Sequence, residues 1–242
     1  LPEPLLPMPE DWERALCVVA HPDDLEWGTA GAIAGWTAAG KSVTYLLVTR
    51  GEAGIDGIPP EQSGPLREAE QRAAAAEVGV HTVEFLDHRD GVIEYGLALR
   101  RDLAVAIRRH RPELVITINH HDYWDGVRWN SPDHKAVGRA TIDAAGDAGN
   151  RWIFPPTGDE PEAWPGVRWV AVSASPLASH AVDISAQRER AIASLAAHES
   201  YLRELYDKPP LEQAAALVDD TSDTDPALFG GRAYRSFELI TY

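Results

Sequence analysis

The sequence predicts an α/β fold with a mostly parallel sheet and helices on both faces. Three observations predict it. Short continuous apolar runs at residues 15–20, 42–49 and 113–119 read as strands buried on both sides. Segments with helical spacing alternate with those runs. Glycines and prolines punctuate the boundaries between them. Strand–helix alternation implies parallel pairing, because a parallel neighbour is reached only through a crossover.

Each element follows in order. Residues 1–14 are rich in proline and acid and read as an extended lead-in. Residues 15–20 (ALCVVA) form the first strand. Residues 28–39 are small and apolar, with Gly40 just beyond as a helix C-terminal glycine. Residues 42–49 (SVTYLLVT) form the second strand, and the glycines and prolines of 50–64 make a loop. An Ala-rich helix over 65–78 precedes a strand over 82–86. Leu99, Leu103 and Ile107 mark a helix over 97–111, which Pro112 stops. Another buried strand covers 113–119, an aromatic polar loop 120–130 and a helix 131–148. Residues 155–166 read as an inserted loop, and 167–173 and 181–184 as strands. Residues 187–206 read as one long helix with Ile192, Leu195, Leu202 and Leu205 inward. Residues 207–233 carry little pattern and are expected to be irregular; 237–242 reads as a last strand. No repeat or linker divides the chain, so 1–242 is expected to be a single domain.

The 242 residues carry 22 Lys and Arg against 38 Asp and Glu, a net charge of −16. Such a surface repels phosphate backbones and anionic headgroups, so nucleic-acid and membrane-surface partners are not expected. No apolar run approaches the roughly 18–20 residues of a spanning helix. The first fourteen residues lack a signal-peptide pattern, which leads us to expect a cytoplasmic protein; a leader removed before Leu1 would leave the same N-terminus. A homo-oligomer is compatible with the sequence. Cys17 is the sole cysteine, so any metal must be held by histidine, of which there are 9, and carboxylate.

His21, Pro22, Asp23 and Asp24 follow the first buried strand directly. In open parallel sheets ligands bind beyond the carboxyl ends of the strands. A polar turn with Asp24 capping the next helix would need only one of these acids. Adjacent carboxylates repel unless a cation separates them, so a metal explains the cluster better. The second constellation is Ser131, Pro132, Asp133 and His134. Ser131 suits an N-cap, Pro132 the first helical position, and Asp133 the positive helix terminus. None of that accounts for His134. A cation is unfavourable at a helix N-terminus, so this imidazole should stay neutral, the metal-binding form. The competing reading is a core histidine on the stripe with Val137, Thr141 and Ala145. His21, Asp24 and His134 together make a two-histidine, one-carboxylate set suited to catalytic Zn²⁺, and equally to Fe²⁺. Asp23 is left free beside it to act as general base.

These segments resemble a known family. The AHPDD run, the TRGEAG run at 49–54, Arg67-Glu68, Asp90-Gly91 and the SPDH run are similar, in order, to the PIG-L/LmbE-like zinc-dependent de-N-acetylases. The resemblance implies a Rossmann-like fold and hydrolysis of the acetamide of an N-acetylglucosamine-type substrate, a small amino-sugar conjugate. It matches His21, Asp24 and His134 to the zinc ligands and Asp23 to the general base. It matches Arg67 and Asp90 to positions that hold the sugar or its attached group, and Glu52 to an acidic position near the substrate. One departure stands out. The family usually has His-Pro-Asp-His at the second constellation, and here the first position is Ser131. A hydroxyl donates a hydrogen bond but carries no positive charge. Losing such a stabiliser costs about 10²–10³ in rate unless another group replaces it. His121 or His120, in the preceding loop, is the expected replacement; the alternative is that both are loop histidines without a role.

Other residues are candidates for the substrate side. Trp124 and Trp129 are placed to stack on a sugar, and Trp27 to line the mouth, although such rings also pack beneath their own loops. Arg50 and Arg67 place positive charge near the site, suited to an anionic group on the substrate or to surface ion pairs. His198 reads as a helix-packing or boundary residue. Three rival functions remain. A nucleotide-binding enzyme lacks support, because the first turn has no G-x-G-x-x-G. A metal-dependent amidase or esterase on a non-sugar substrate would use the same site. A weakened metal-binding homologue is kept open by Ser131.

Overall fold

The structure is a computed structural model and describes residues 4–242. Residues 1–3 of the expected lead-in lie outside the described residues. The chain runs β1 (Leu6–Pro7), β2 (Arg14–Val19), α1 (Ala30–Ala38), β3 (Ser42–Leu47), α2 (Pro60–Glu77) and β4 (Thr82–Phe85). It continues through α3 (Leu97–His110), β5 (Leu114–Ile118), α4 (Pro132–Gly149), β6 (Trp169–Ser173) and β7 (His180–Asp183). Helices α5 (Arg188–Ala196), α6 (Glu199–Leu205) and α7 (Pro210–Asp220) precede β8 (Tyr234–Thr241). The described strands form one sheet in the order β1-β7-β8-β6-β5-β2-β3-β4. All pairs are parallel except those of β8 with β6 and β7.

β2 is an interior strand of this sheet, with Cys17 opposite Tyr45 on one side and Ile116 on the other. Its side chains alternate between two cores. Ala15, Cys17 and Val19 join Ile33 and Trp36 of α1, Ala75 of α2, Leu195 of α5 and Leu202 of α6. Leu16, Val18 and Ala20 join Leu103 and Ile107 of α3 and Val137 and Ala144 of α4. A strand covered on both faces must be apolar at every position, which is why ALCVVA shows no alternation. Each buried Leu or Val there contributes about 1.5–3 kcal/mol.

The winding positions the site. From β2 the chain steps outward to β3 and β4, with α1 and α2 against one face of the sheet. It then returns to β5 on the opposite side of β2, and α3 and α4 cover the other face. Strand order therefore reverses between β2 and β5, and that reversal opens a crevice beyond their carboxyl ends.

Five expectations need correction or refinement. The loop expected over 50–64 ends at Pro59, and α2 begins at Pro60 because a proline at the first helical position needs no N–H partner. The single helix expected over 187–206 is two, broken at His198, whose backbone (φ −81°, ψ 53°) leaves the helical region while its ring is fully buried facing Glu26. Leu205, expected inward, is exposed at the end of α6. The stretch 207–233 is not wholly irregular: Pro210 starts α7, which buries Gln213, Ala214 and Val218. The lead-in also contributes β1, a two-residue edge strand on β7.

Candidate active site

The β2 ladder stops at Val19, and the next five residues make a tight turn. Asp24 does not cap α1; its Oδ2 accepts the N–H groups of Ala20 (3.0 Å) and His21 (2.9 Å), closing the turn. Asp23 sits in the left-handed region at φ +87°, a strain of about 1–3 kcal/mol for a non-glycine residue. Its N–H donates to Gln71 Oε1 (2.9 Å), and Gln71 Nε2 donates to Glu26 Oε1 (2.9 Å). Glu26 in turn faces His198 at 3.4 Å in the fully buried interior. A buried polar chain thus holds Asp23 in its strained conformation. Its carboxylate accepts Trp27 Nε1–H (3.1 Å) and lies 3.5 Å from Arg67.

α4 supplies the facing wall. Ser131 is its N-cap, the hydroxyl accepting the N–H of Asp133 (3.2 Å). His134 projects from the first turn, and its Nδ1 meets the Oδ1 of buried Asn130 at 3.2 Å. Trp124 stands edge-on to the His134 ring at 5.4 Å.

The two walls bring three donors together. His21 Nδ1 lies 3.2 Å from His134 Nε2, His134 Nε2 lies 3.0 Å from Asp24 Oδ1, and His21 Nδ1 lies 3.6 Å from Asp24 Oδ2. Donors bonded at about 2.0 Å in a tetrahedral shell are about 3.3 Å apart, close to the two distances at His134 Nε2, while the two histidines face different oxygens of Asp24. The other side of the His21 ring is also held: Nε2 lies 3.1 Å from Asp90 and 3.2 Å from Asp133. Asp133 accepts the N–H groups of Gly91 (2.7 Å) and Ile93 (3.1 Å) as well, tying the loop after β4 to the start of α4. A carboxylate on the far nitrogen of a ligating imidazole fixes its tautomer and raises its basicity. His21, Asp24 and His134 form a candidate metal centre.

Charge in this pocket is unevenly distributed. Burial pushes Asp23 above the usual carboxylate range against the opposing charge of Arg67, and the nearby Asp24 adds to the rise. Burial acts on Asp24 in the same direction, but His134 and His21 outweigh it and hold that group well below the range. The pair thus divides into an anchored anion and a carboxylate that takes up a proton more readily.

The remaining predicted residues fall in three places. Arg67 is buried beneath the site, donating to Pro22 O (2.7 Å) and Gly51 O (3.0 Å), with its guanidinium 4.2 Å from the centre of the Tyr201 ring. Asp90 accepts the N–H of Ala53 (2.8 Å), and Glu52 accepts the N–H of Asp90 (2.9 Å), so the two loops lace together. Arg50 is turned to Glu68 (3.1 Å) and Asp87 (2.9 Å). At the rim, Trp129 is 61% exposed, edge-on to Tyr123 and beneath the Lys135 ammonium at 4.0 Å. His120 and His121 stack on each other beyond β5, where His121 Nε2 meets Glu238 Oε2 at 2.8 Å.

The comparisons with known proteins now bear on this geometry. The family model for PIG-L, GlcNAc-PI de-N-acetylase, matches residues 16–145. The chain belongs to the PIG-L family. That match contains both walls of the crevice, from β2 to α4. Among similar proteins, the diacetylchitobiose deacetylase of Thermococcus kodakarensis is 33% identical over 141 residues, 57% of this chain and 51% of that protein. A 1D-myo-inositol 2-acetamido-2-deoxy-alpha-D-glucopyranoside deacetylase of Rhodococcus erythropolis is 33% identical over 195 residues, 68% of this chain and 63% of that protein. The chain spans about half the length of the curated relatives it matches first. The N,N'-diacetylchitobiose deacetylase of Pyrococcus horikoshii superposes with a TM-score of 0.82 over 96% of this chain and 85% of that one, at 20% identity, and so shares the fold.

This PIG-L chain also places residues at the site that the sequence reading did not single out. Gln71 follows Arg67 by one helical turn on the buried face of α2, a spacing that was open to view. Asn130, next to the N-cap, likewise sat beside a named motif. Glu26 and Glu238 gave no such signal, because their partners are 172 and 117 residues away in sequence.

Proposed function

We propose that this chain hydrolyses the N-acetyl group, or another N-acyl group, of a small amino-sugar conjugate of the N-acetylglucosamine type. The donor triangle of His21, Asp24 and His134 at the switch point, with Asp23 beside it, carries this reading. Those three residues would hold Zn²⁺, and Fe²⁺ suits the same donors. When bound, the metal supplies Lewis acidity, polarising the amide carbonyl and lowering the pKa of water. Asp23 accepts the proton of the attacking water, its oxygens held by Trp27 Nε1–H and the Arg67 charge. Asp90 and Asp133 keep the His21 ring in its ligating orientation. Ser131 already serves as a helix cap and has no charge to offer the leaving amine. That proton is assigned to His121, whose Nε2 is held by the Glu238 carboxylate at 2.8 Å, with His120 beside it.

Glu52, Arg50 and Asp90 border the substrate with Arg67 bracing their loops from beneath, Trp124 forms its floor over His134, and Trp129 offers an exposed ring for sugar stacking. Most of these side chains are already paired within the protein, so they act largely by holding the loops that meet the substrate. A cytoplasmic location belongs to the same proposal; among the described residues no helix is long and apolar enough to cross a membrane.

The test is release of primary amine from N-acetylglucosamine conjugates by metal-loaded and metal-depleted protein. Turnover that disappears on chelation and returns with Zn²⁺ or Fe²⁺ is expected. Stoichiometric metal without turnover on sugar or non-sugar amides and esters would favour a weakened metal-binding homologue, a reading that rests on the serine at 131. A protein that binds no metal overturns both.

A further inference from the structure

His121, assigned above to carry a proton, belongs to a second cluster of metal-ligating chemistry. His120, His121 and Glu238 each present one ligand atom, and all three atoms lie within 4.8 Å of one another. They come from different parts of the chain, the end of β5 and the middle of β8, joined across β6 by the sheet register. We propose that this cluster is a second divalent-cation site, adjacent to the first and selective for borderline ions such as Zn²⁺ or Co²⁺.

Four observations support it. Two imidazoles and one carboxylate are the donor types of an open zinc-type site. Ser175 Oγ–H donates to Glu238 Oε2 (2.6 Å), and the N–H of Leu177 donates to Ser175 Oγ (3.1 Å), so the carboxylate is oriented from behind. The loop is similarly fixed: the N–H of His121 donates to Asn119 Oδ1 (2.9 Å), and Asn130 Nδ2–H donates to the His121 carbonyl (3.0 Å). Finally, His120 Nδ1 is buried without a hydrogen-bond partner, a state that carries a desolvation cost unless something ligates it. Among the described residues Glu238 makes no ion pair with Lys or Arg, and His121 is the basic side chain that faces it. Arg139 and Asp143 of α4 act on His120 with opposite charges.

Asn130 joins the two clusters, since its Oδ1 meets His134 Nδ1 while its amide holds His121. Filling the second site would occupy the imidazole lone pair that the proposed reaction uses to carry a proton.

Calorimetric titration of chelator-treated protein with Zn²⁺, checked by the visible absorption of Co²⁺, reads the sites separately. Two equivalents are expected for the intact chain, the second at least 10-fold weaker because its Glu238 and His121 must first part. Glu238→Gln and His120→Ala should each lose the weak equivalent and keep the tight one, with unchanged circular dichroism. His134→Ala should lose the tight one and keep the weak one. A single equivalent in the intact chain, or a weak equivalent that survives Glu238→Gln, overturns the proposal. Either result leaves the amide-hydrolysis reading standing, whereas two equivalents without turnover would count against that reading alone.

Discussion

Asp23 concentrates the chemistry at the scale of one residue. A left-handed backbone, a buried carboxylate and an N–H held by Gln71 all act on the same side chain. Strain of this kind persists only where its surroundings over-determine it, and here Gln71, Glu26 and His198 do so. Asp24, its neighbour, is used differently: two backbone N–H groups and two imidazoles bind it as a fixed anion. The expected outcome of Asp23→Asn is a fall in kcat of about 10²–10⁴ with metal content unchanged, measured by amine release and metal analysis. Loss of metal together with activity would instead assign Asp23 to the ligand set. The two adjacent acids thus have distinct surroundings, and the difference lies in which atoms face them rather than in residue type.

Among the elements, α4 and the loop before it decide the geometry. Gly138 lets α4 approach β5: a Cβ there would collide with the Ile118 carbonyl and come within 2.9 Å of His120 Cβ. The obstacle is backbone, so it yields only if the helix moves. Gly138→Ala should cost about 1–3 kcal/mol in chemical denaturation and weaken metal binding, because His134 moves with the helix. Gly146→Ala in the same helix is the control. Its Cβ meets only Tyr242 at 3.5 Å, and this exposed site should gain up to about 1 kcal/mol from helix propensity. The loop 120–130 has its own anchor in Asp125. The N–H groups of Arg128 and Val127 and the Arg128 side chain hold its carboxyl down at about 2. A depressed carboxyl pKa stabilises the loop above the unfolded value near 4, and that contribution fades as pH falls through 2. An NMR titration should place the Asp125 midpoint near 2, and Arg128→Gln should move it upward; a midpoint near 4 would mean the loop is not closed in solution.

For the molecule as a whole, the site ties together segments that the sheet alone leaves apart. The loops after β2, β4 and β5 meet at His21, Asp90 and Asp133. Metal bound only by the folded state adds stability by mass action, about 4 kcal/mol at a thousandfold excess over Kd. For a chain of this size each kcal/mol is about 2–4 °C in Tm. Chelation should therefore lower Tm by several degrees in a thermal melt, and an unchanged Tm would argue against a metal at this centre. Much of this architecture was legible in the sequence: residues 15–20, 42–49 and 113–119 declared buried parallel strands, and the HPDD and SPDH runs pointed to the candidate donor set, because a doubly covered strand and a metal donor each demand particular residue types at short range. What the local pattern left hidden was long-range. His198 breaks a helix where Glu26 lies across the core; Pro210 opens a helix that packs on α5 and α6; Arg67 is a buried brace rather than an open contact; and Glu238 meets His121 only once β8 is in register. Residue types and spacing determined the sheet, the winding and the donor set. Tertiary structure alone decided which carboxylate anchors, which one is free, and what stands beside Ser131, since those depend on burial and on partners that chain folding, not neighbourhood in sequence, brings within reach.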